Sequence, residues 1–226
     1  VERALTFDGV NDILYNSGIG GGWSDNISHT ISFFVKINSP SSGYGGGIFN
    51  LYNTTSTNNN YSAVSIQMGA SGYMTFYHYG NDYLYSYPFH AGVFYHMACV
   101  YNGSPTTQKV YVNGVNLSLT STTGSDVGST LLLGTSPKLS IGGDYGRSNY
   151  YTDGSISNFK LWNVALTPEE VAAEYALGRT GKSLNVTDTA VCLGGTVPRA
   201  QLDVRGSGVF SSKLAIGATT TPSGLG

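Results

Sequence analysis

The sequence predicts an all-β fold, an antiparallel β-sandwich with one short C-terminal helix, and three observations carry that prediction. Residues Gly92 to Asn116 hold two strand-forming runs, Val93 to Tyr101 and Gln108 to Val112, joined by Asn102-Gly103-Ser104-Pro105 and followed by Asn113-Gly114. Val110 and Val112 fall on one face and Lys109 and Tyr111 on the other, because successive strand side chains point to opposite sides, and Asn-Gly tolerates the positive φ of a tight hairpin turn. His29 to Ile37 alternates in the same way, setting Ile31, Phe33, Val35 and Ile37 against Ser32, Phe34 and Lys36, the pattern of a half-buried strand. Third, the 226 residues include 31 Gly and 17 Tyr but only 11% charged residues. That composition suits strands and turns better than helices, where each Gly costs about 1 kcal/mol.

The length is enough for one large β domain. A formal net charge of -2 without a Lys/Arg cluster leaves no electrostatic footprint for nucleic acid. No apolar run approaches the roughly 20 residues that span a bilayer, so no membrane insertion is expected. The chain opens at Val1 without a methionine, which leaves room for a removed leader, so the lack of a signal peptide decides nothing about secretion. Cys99 and Cys192 are too few for a disulfide framework and read first as small buried hydrophobes, with one long-range disulfide as the alternative.

In chain order, Ala4 to Asp12 places Leu5 and Phe7 on one face and turns at Asp8-Gly9, and Ser17 to Asp25 is a Gly-rich loop. After His29 to Ile37, two Ser/Gly/Asn/Thr-rich loops, Asn38 to Gly47 and Asn53 to Asn60, bracket a short strand from Ile48 to Tyr52. Ala63 to Met68 alternates with Val64, Ile66 and Met68 inward, and Tyr73 to Tyr87 reads as a second hairpin around Gly80-Asn81-Asp82. Leu117 to Ser136 is low in charge with an apolar patch at Leu131 to Leu133, and Leu139 to Gly142 and Ser155 to Trp162 supply the last strands. Thr167-Pro168-Glu169-Glu170 then marks a helix: an N-cap hydroxyl, proline at the first helical position and glutamate at N3. Gly178 is placed to end it in the left-handed conformation. Residues 1–180 are assigned to the sandwich and 181–226 to a C-terminal extension, whose runs Leu202/Val204 and Leu214/Ile216 hold too little apolar surface for a core of their own.

These residues carry a resemblance. FYHMACVYNG followed by KVYVNGV resembles the central hairpin of the laminin-G-like, or concanavalin A-like, jelly-roll sandwiches, LTFDGVND their opening edge strand and TISFFVK the strand that follows. DGSISNFKLWNVALTPEEVAAEYALG is similar to their closing strand and terminal helix, so the matches extend over about residues 4 to 178. The later stretch TVPRAQLDVRGSGVFSSKLAIG resembles the collar of phage and large-virus fibre and tail proteins, which implies a homo-trimer through this segment. A flexible linker, or a strand folding back on the sandwich, is the other reading of the same residues.

The fold the resemblance implies also houses glycoside hydrolases, and those related to laminarinases place their acid and nucleophile on an E-x-D-x-x-E strand. No such string occurs here, and the glutamates are Glu2, Glu169, Glu170 and Glu174, at the start and on the helix. His29, His78, His90 and His96 lack zinc spacing, G-x-S-x-G is absent, and His96, at the second histidine of the family's WHHVA strand, reads as a packing residue. The expectation is no enzyme. The resemblance further implies a Ca²⁺ ion at the loop rim, for which Asp8, Asn11, Asp12 and Asp153, with Asp144, are the oxygen donors; Ser157-Asn158 stands where the family has two carboxylates, and turn aspartates also serve local purposes.

The remaining signal is aromatic. Tyrosine offers a large apolar face with a hydroxyl at low entropic cost, a combination suited to sugars. The ligand-binding candidates are Tyr83, Tyr85, Asn81 and Asp82 on the second hairpin and Tyr145, Arg147, Asn149 and Tyr150 in a polar loop, with about half of the strand tyrosines expected to face the core. The function expected is a non-enzymatic recognition or display module on a virion surface fibre, or otherwise extracellular, binding a host glycan or glycoprotein. A module of a secreted adhesion protein or carbohydrate-active enzyme, and a purely structural capsid or fibre domain, are the alternatives.

Overall fold

A computed structural model describes residues 4–38, 47–53, 63–68, 73–78, 81–123, 131–143, 151–180, 184–186, 191–193 and 202–204. The chain divides into two compact units, Val1–Arg179 and Thr180–Gly226. In the first, one sheet contains β1 (Leu5–Asp8), β3 (His29–Ile37), β8 (Phe94–Tyr101), β9 (Lys109–Val112), β10 (Val115–Asn116) and β13 (Asp153–Trp162), in the order β1-β13-β3-β8-β9-β10. The other contains β2 (Leu14–Asn16), β4 (Gly47–Tyr52), β5 (Ala63–Met68), β6 (Tyr73–His78), β7 (Asn81–Ser86), β11 (Ser121–Thr123) and β12 (Lys138–Ile141), in the order β11-β7-β6-β5-β4-β12-β2. Every pairing in these two sheets is antiparallel. The fold is the antiparallel sandwich that the periodicity predicts.

Alternation explains the core. Ile31, Phe33 and Val35 of β3, Met97, Cys99 and Tyr101 of β8 and Val110 and Val112 of β9 face Phe49, Leu51, Phe76, Tyr83 and Tyr85 of the opposite sheet, all nearly inaccessible to water. Phe33 meets Phe49 edge to face at 5.8 Å across the layers, and Phe159 lies 6.0 and 5.9 Å from the two rings. Aromatic side chains bury the most area per residue, so this cluster is the largest single contribution to holding the sheets together. Cys99 is a free thiol inside it, its pKa pushed well up by burial.

The predicted β9–β10 turn forms on Asn113 (φ 52) and Gly114 (φ 78), as a two-residue hairpin of this twist requires. The preceding connection is tighter than a plain turn, a single 3₁₀ turn at Pro105–Thr107 with proline at its start. Three strands of this unit escape sequence reading: β2, β10 and β11 are only two or three residues long. Leu5 and Phe7 are both in β1, the edge strand of its sheet, and there Phe7 is buried whereas Leu5 is 56% exposed.

Helix α1 (Pro168–Thr180) begins on a reciprocal cap: Glu170 N donates to Thr167 Oγ1 at 3.2 Å and Thr167 N to Glu170 Oε2 at 2.8 Å. It does not stop at Gly178. That residue lies inside the helix, where a Cβ would stand 2.0 Å from the Phe34 ring, so glycine serves close helix-to-sheet approach instead of termination. The half-buried expectation for β3 is corrected for the same reason: its outer residues Thr30, Ser32 and Phe34 are buried too, and on that face Val171 of α1 packs against Ala98, Val100 and Tyr111.

In the second unit β14 (Leu184–Val186), β15 (Val191–Leu193) and β16 (Leu202–Val204) form a small sheet, antiparallel between β14 and β15 and parallel between β15 and β16. The run Leu202/Val204 is thus a strand, and Leu214 and Ile216 lie outside the described residues.

Candidate functional site: the outer face of the seven-stranded sheet

The two sheets differ on their outward faces. On the six-stranded sheet that face is occupied by α1 and filled with Phe34, His96, Ala98, Val100 and Tyr111. On the seven-stranded sheet the register aligns one residue from every strand into a row: Tyr15, Ser140, Asn50, Ser65, Tyr77, Asp82 and Thr123. Asn50 stands between the inward Phe49 and Leu51, which puts Asn50 and its cross-strand neighbours Ser140 and Tyr15 on the face away from the core. Every member carries a hydroxyl, amide, phenol or carboxylate. The next position along brings Lys138, Tyr52 and Ala63 together.

Accessibility varies along the row. Tyr15, on edge strand β2, is 39% exposed, whereas Asn50 and Ser140 are 6% and 0% exposed, with Ser140 Oγ donating to the Gly143 carbonyl at 2.8 Å. Among the members with described side chains, Tyr15 is therefore the one that solvent reaches, with Ser140 and Asn50 beside it below the accessible surface.

The predicted ligand set fares unevenly. Tyr83 and Tyr85 are 5% and 2% exposed and belong to the core, which corrects their assignment. Burial raises both phenol pKa values, and the Tyr85 hydroxyl contacts the Gln108 carbonyl at 3.5 Å. Pairing gives the reason: Tyr83 lies opposite the fully buried Phe76, and Tyr85, two residues on, shares its face. Asn81 and Asp82 are in β7, not in the turn, and Asp82 falls in the polar row. Tyr145, Arg147, Asn149 and Tyr150 lie outside the described residues, as does Asp144. Sequence reading missed Tyr15, Asn50 and Ser140. For Asn50 the signal was present in its alternation with Phe49 and Leu51; for Tyr15 there was none in a three-residue strand.

The proposed calcium donors do come to one corner, since Asp8 and Asp153 are cross-strand partners. Their oxygens serve local turns. Asp8 Oδ1 accepts from Val10 N at 2.8 Å and Asn11 N at 3.4 Å, Asp12 Oδ2 from Asp8 N at 3.1 Å, and Asp153 Oδ1 from Asn38 Nδ2 at 3.0 Å. Calcium needs six to eight oxygens converging at roughly 2.3–2.6 Å. Among the described residues no three His, Cys, Asp or Glu side chains are arranged to hold a metal ion. The corner fits turn closure, not a calcium cage.

The family model of the concanavalin A-like lectin/glucanases superfamily matches residues 18–172. The chain belongs to that superfamily. No curated protein matches the chain in sequence. Among solved structures, a native heptameric SAP-like pentraxin from Limulus polyphemus aligns with TM-score 0.51 and 19% identity over 75% of this chain and 80% of its own. A Bacteroides ovatus protein proposed to bind carbohydrate aligns with TM-score 0.51 and 18% identity, covering 75% of this chain and 45% of that one. The NanB sialidase of Streptococcus pneumoniae aligns with TM-score 0.51 and 20% identity over 75% of this chain, which spans only 27% of the sialidase. At these identities the likeness shows the β-sandwich fold alone.

Proposed function

We propose that this concanavalin A-like domain is a non-enzymatic module that binds glycan, free or on a glycoprotein, through the outer face of its seven-stranded sheet. The observation that carries the reading is the seven-residue polar and aromatic row, Tyr15 to Thr123, that strand register aligns across this sheet, its described side chains Tyr15, Asn50 and Ser140 lying on the face away from the core. Phenol rings stack on the apolar face of a sugar, and amides and hydroxyls orient it. The name of the superfamily and the similarity to a protein proposed to bind carbohydrate support that ligand class. Tyr145, Arg147, Asn149 and Tyr150 remain proposed contributors from the loop before β13. On this reading the module sits on a virion fibre or another extracellular surface and trimerises through residues 181–226, as the collar-like RAQLDVRGS suggests.

A glycan array with the full chain tests the binding. Tyr15→Ala and Tyr77→Ala should each weaken array binding about tenfold, since one sugar-stacking ring is worth roughly 1–1.5 kcal/mol, with the thermal midpoint held within a degree or two. An array without signal, or binding that survives both substitutions, refutes the site. Release of reducing sugar on incubation refutes the absence of catalysis. A mass that does not change from trimer to monomer when residues after Lys182 are deleted refutes the trimer.

A further inference from the structure

His96 lies on the outer face of the six-stranded sheet at 1% exposure, with the Phe34 ring 4.9 Å to one side and the Tyr175 ring of α1 5.8 Å away. Its backbone is fixed by the β9–β10 turn, His96 N donating to Asn113 Oδ1 at 2.9 Å and Asn113 N to the His96 carbonyl at 2.8 Å. The imidazole itself is not secured in the same way: among the described residues Nδ1 has no hydrogen-bond partner. Lys160 on β13 is the charge that acts on it, and the other titratable groups of the elements packed on this face are Glu169, Glu174 and Tyr175 on α1, Tyr111 on β9 and Lys36 on β3, the last held over the Phe94 ring at 5.6 Å. Glu174, the carboxylate that could balance a second positive charge here, already pairs with Lys160.

Helix α1 grips this face narrowly. Val171 is its one fully buried apolar side chain among the described residues, joined by the Tyr175 ring, the Glu174–Lys160 pair and the Gly178 contact with Phe34. Three of those contacts surround His96 or Lys160, and Ala172 and Tyr175 come in addition against Gly114 of the β9–β10 turn. An imidazolium formed there is a desolvated cation beside an ammonium, and the cheapest relief is to lift the helix that excludes water.

We propose that α1 is an acid-released latch, undocking from the six-stranded sheet when His96 is protonated while the sandwich stays folded. Burial and then Lys160 lower the His96 pKa from 6.5 to about 4 in the docked state. The undocked state binds the proton more readily, so docking is intact above the ordinary histidine pKa and is lost as pH falls through the interval below it.

Hydrogen exchange of the full chain between pH 7.5 and 4.5, corrected for intrinsic rates, tests this. Protection of the α1 amides from Val171 to Tyr175 should fall about tenfold per pH unit below roughly 6.5, with β3 and β8 retaining theirs, and His96→Gln should remove that pH dependence. Protection of α1 that is independent of pH, that falls in step with β3 and β8, or that responds equally in His96→Gln overturns the proposal. Direct NMR titration of the wild-type imidazole decides it without a variant: a His96 pKa at or above the ordinary value of roughly 6.5 overturns it as well.

Discussion

Acid sensitivity of the core can be worked out from one residue, His29. It is completely buried at the start of β3, stacked on Tyr101 at 5.1 Å and tilted against Trp23 at 5.9 Å, with Nδ1 2.9 Å from the Ile27 carbonyl. Burial lowers its pKa from 6.5 to about 4, against a smaller upward push from the Ile27 carbonyl. The unfolded chain therefore binds a proton that the folded chain refuses. Stability is fully present above the unfolded value near 6.5, declines as pH falls, and has no more to lose below about 4. A displacement of about 2.5 units at 1.36 kcal/mol per unit is about 3 kcal/mol, and at pH 4.5 about 2.5 kcal/mol of it is already gone. Urea unfolding followed by the fluorescence of Trp23 and Trp162, both in the sandwich unit, should show it. With m near 2 kcal/mol/M, the midpoint drops by about 1.2 M between pH 7.5 and 4.5 from this residue. His29→Phe removes the titration; its midpoint should start lower but fall less, by about that amount. Parallel profiles for wild type and His29→Phe, or a folded-state His29 pKa above about 6 by NMR, would refute the reasoning.

Two other substitutions check separate parts of the fold. Gly178→Ala should destabilise the α1 docking by about 1–3 kcal/mol despite alanine's helix preference of about 1 kcal/mol, because the added Cβ meets the Phe34 ring; a stability gain in urea unfolding contradicts the packing role. Asn26→Ala should cost about 2–3 kcal/mol, since Asn26 Oδ1 accepts both the Tyr101 hydroxyl and Leu131 N at 3.1 Å and the backbone sits at φ 56; a thermal midpoint unchanged within a degree contradicts it.

Legibility follows from what each kind of signal encodes. The sandwich was readable because period two and the Asn-Gly turn are local: His29 to Ile37, Phe94 to Tyr101 and Lys109 to Val112 became β3, β8 and β9, and Thr167 to Glu170 capped α1. What covers an outer face is not local. Nothing within HTISFFVKI says that its polar positions are buried, because that depends on chain 130 and more residues later, as when Thr30 Oγ1 donates to the Val164 carbonyl at 2.9 Å. The tyrosines show the same limit from the other side. Counting does not separate core from surface, but pairing does: the β6–β7 register sets Tyr83 opposite the buried Phe76, and Tyr85 follows it onto the same face. A hairpin shifted by one residue would have turned the two buried tyrosines outward and made the original assignment correct. The candidate site is therefore a consequence of register, and register across seven strands, with one of them, β2, contributing only three residues, is a property of the folded sheet.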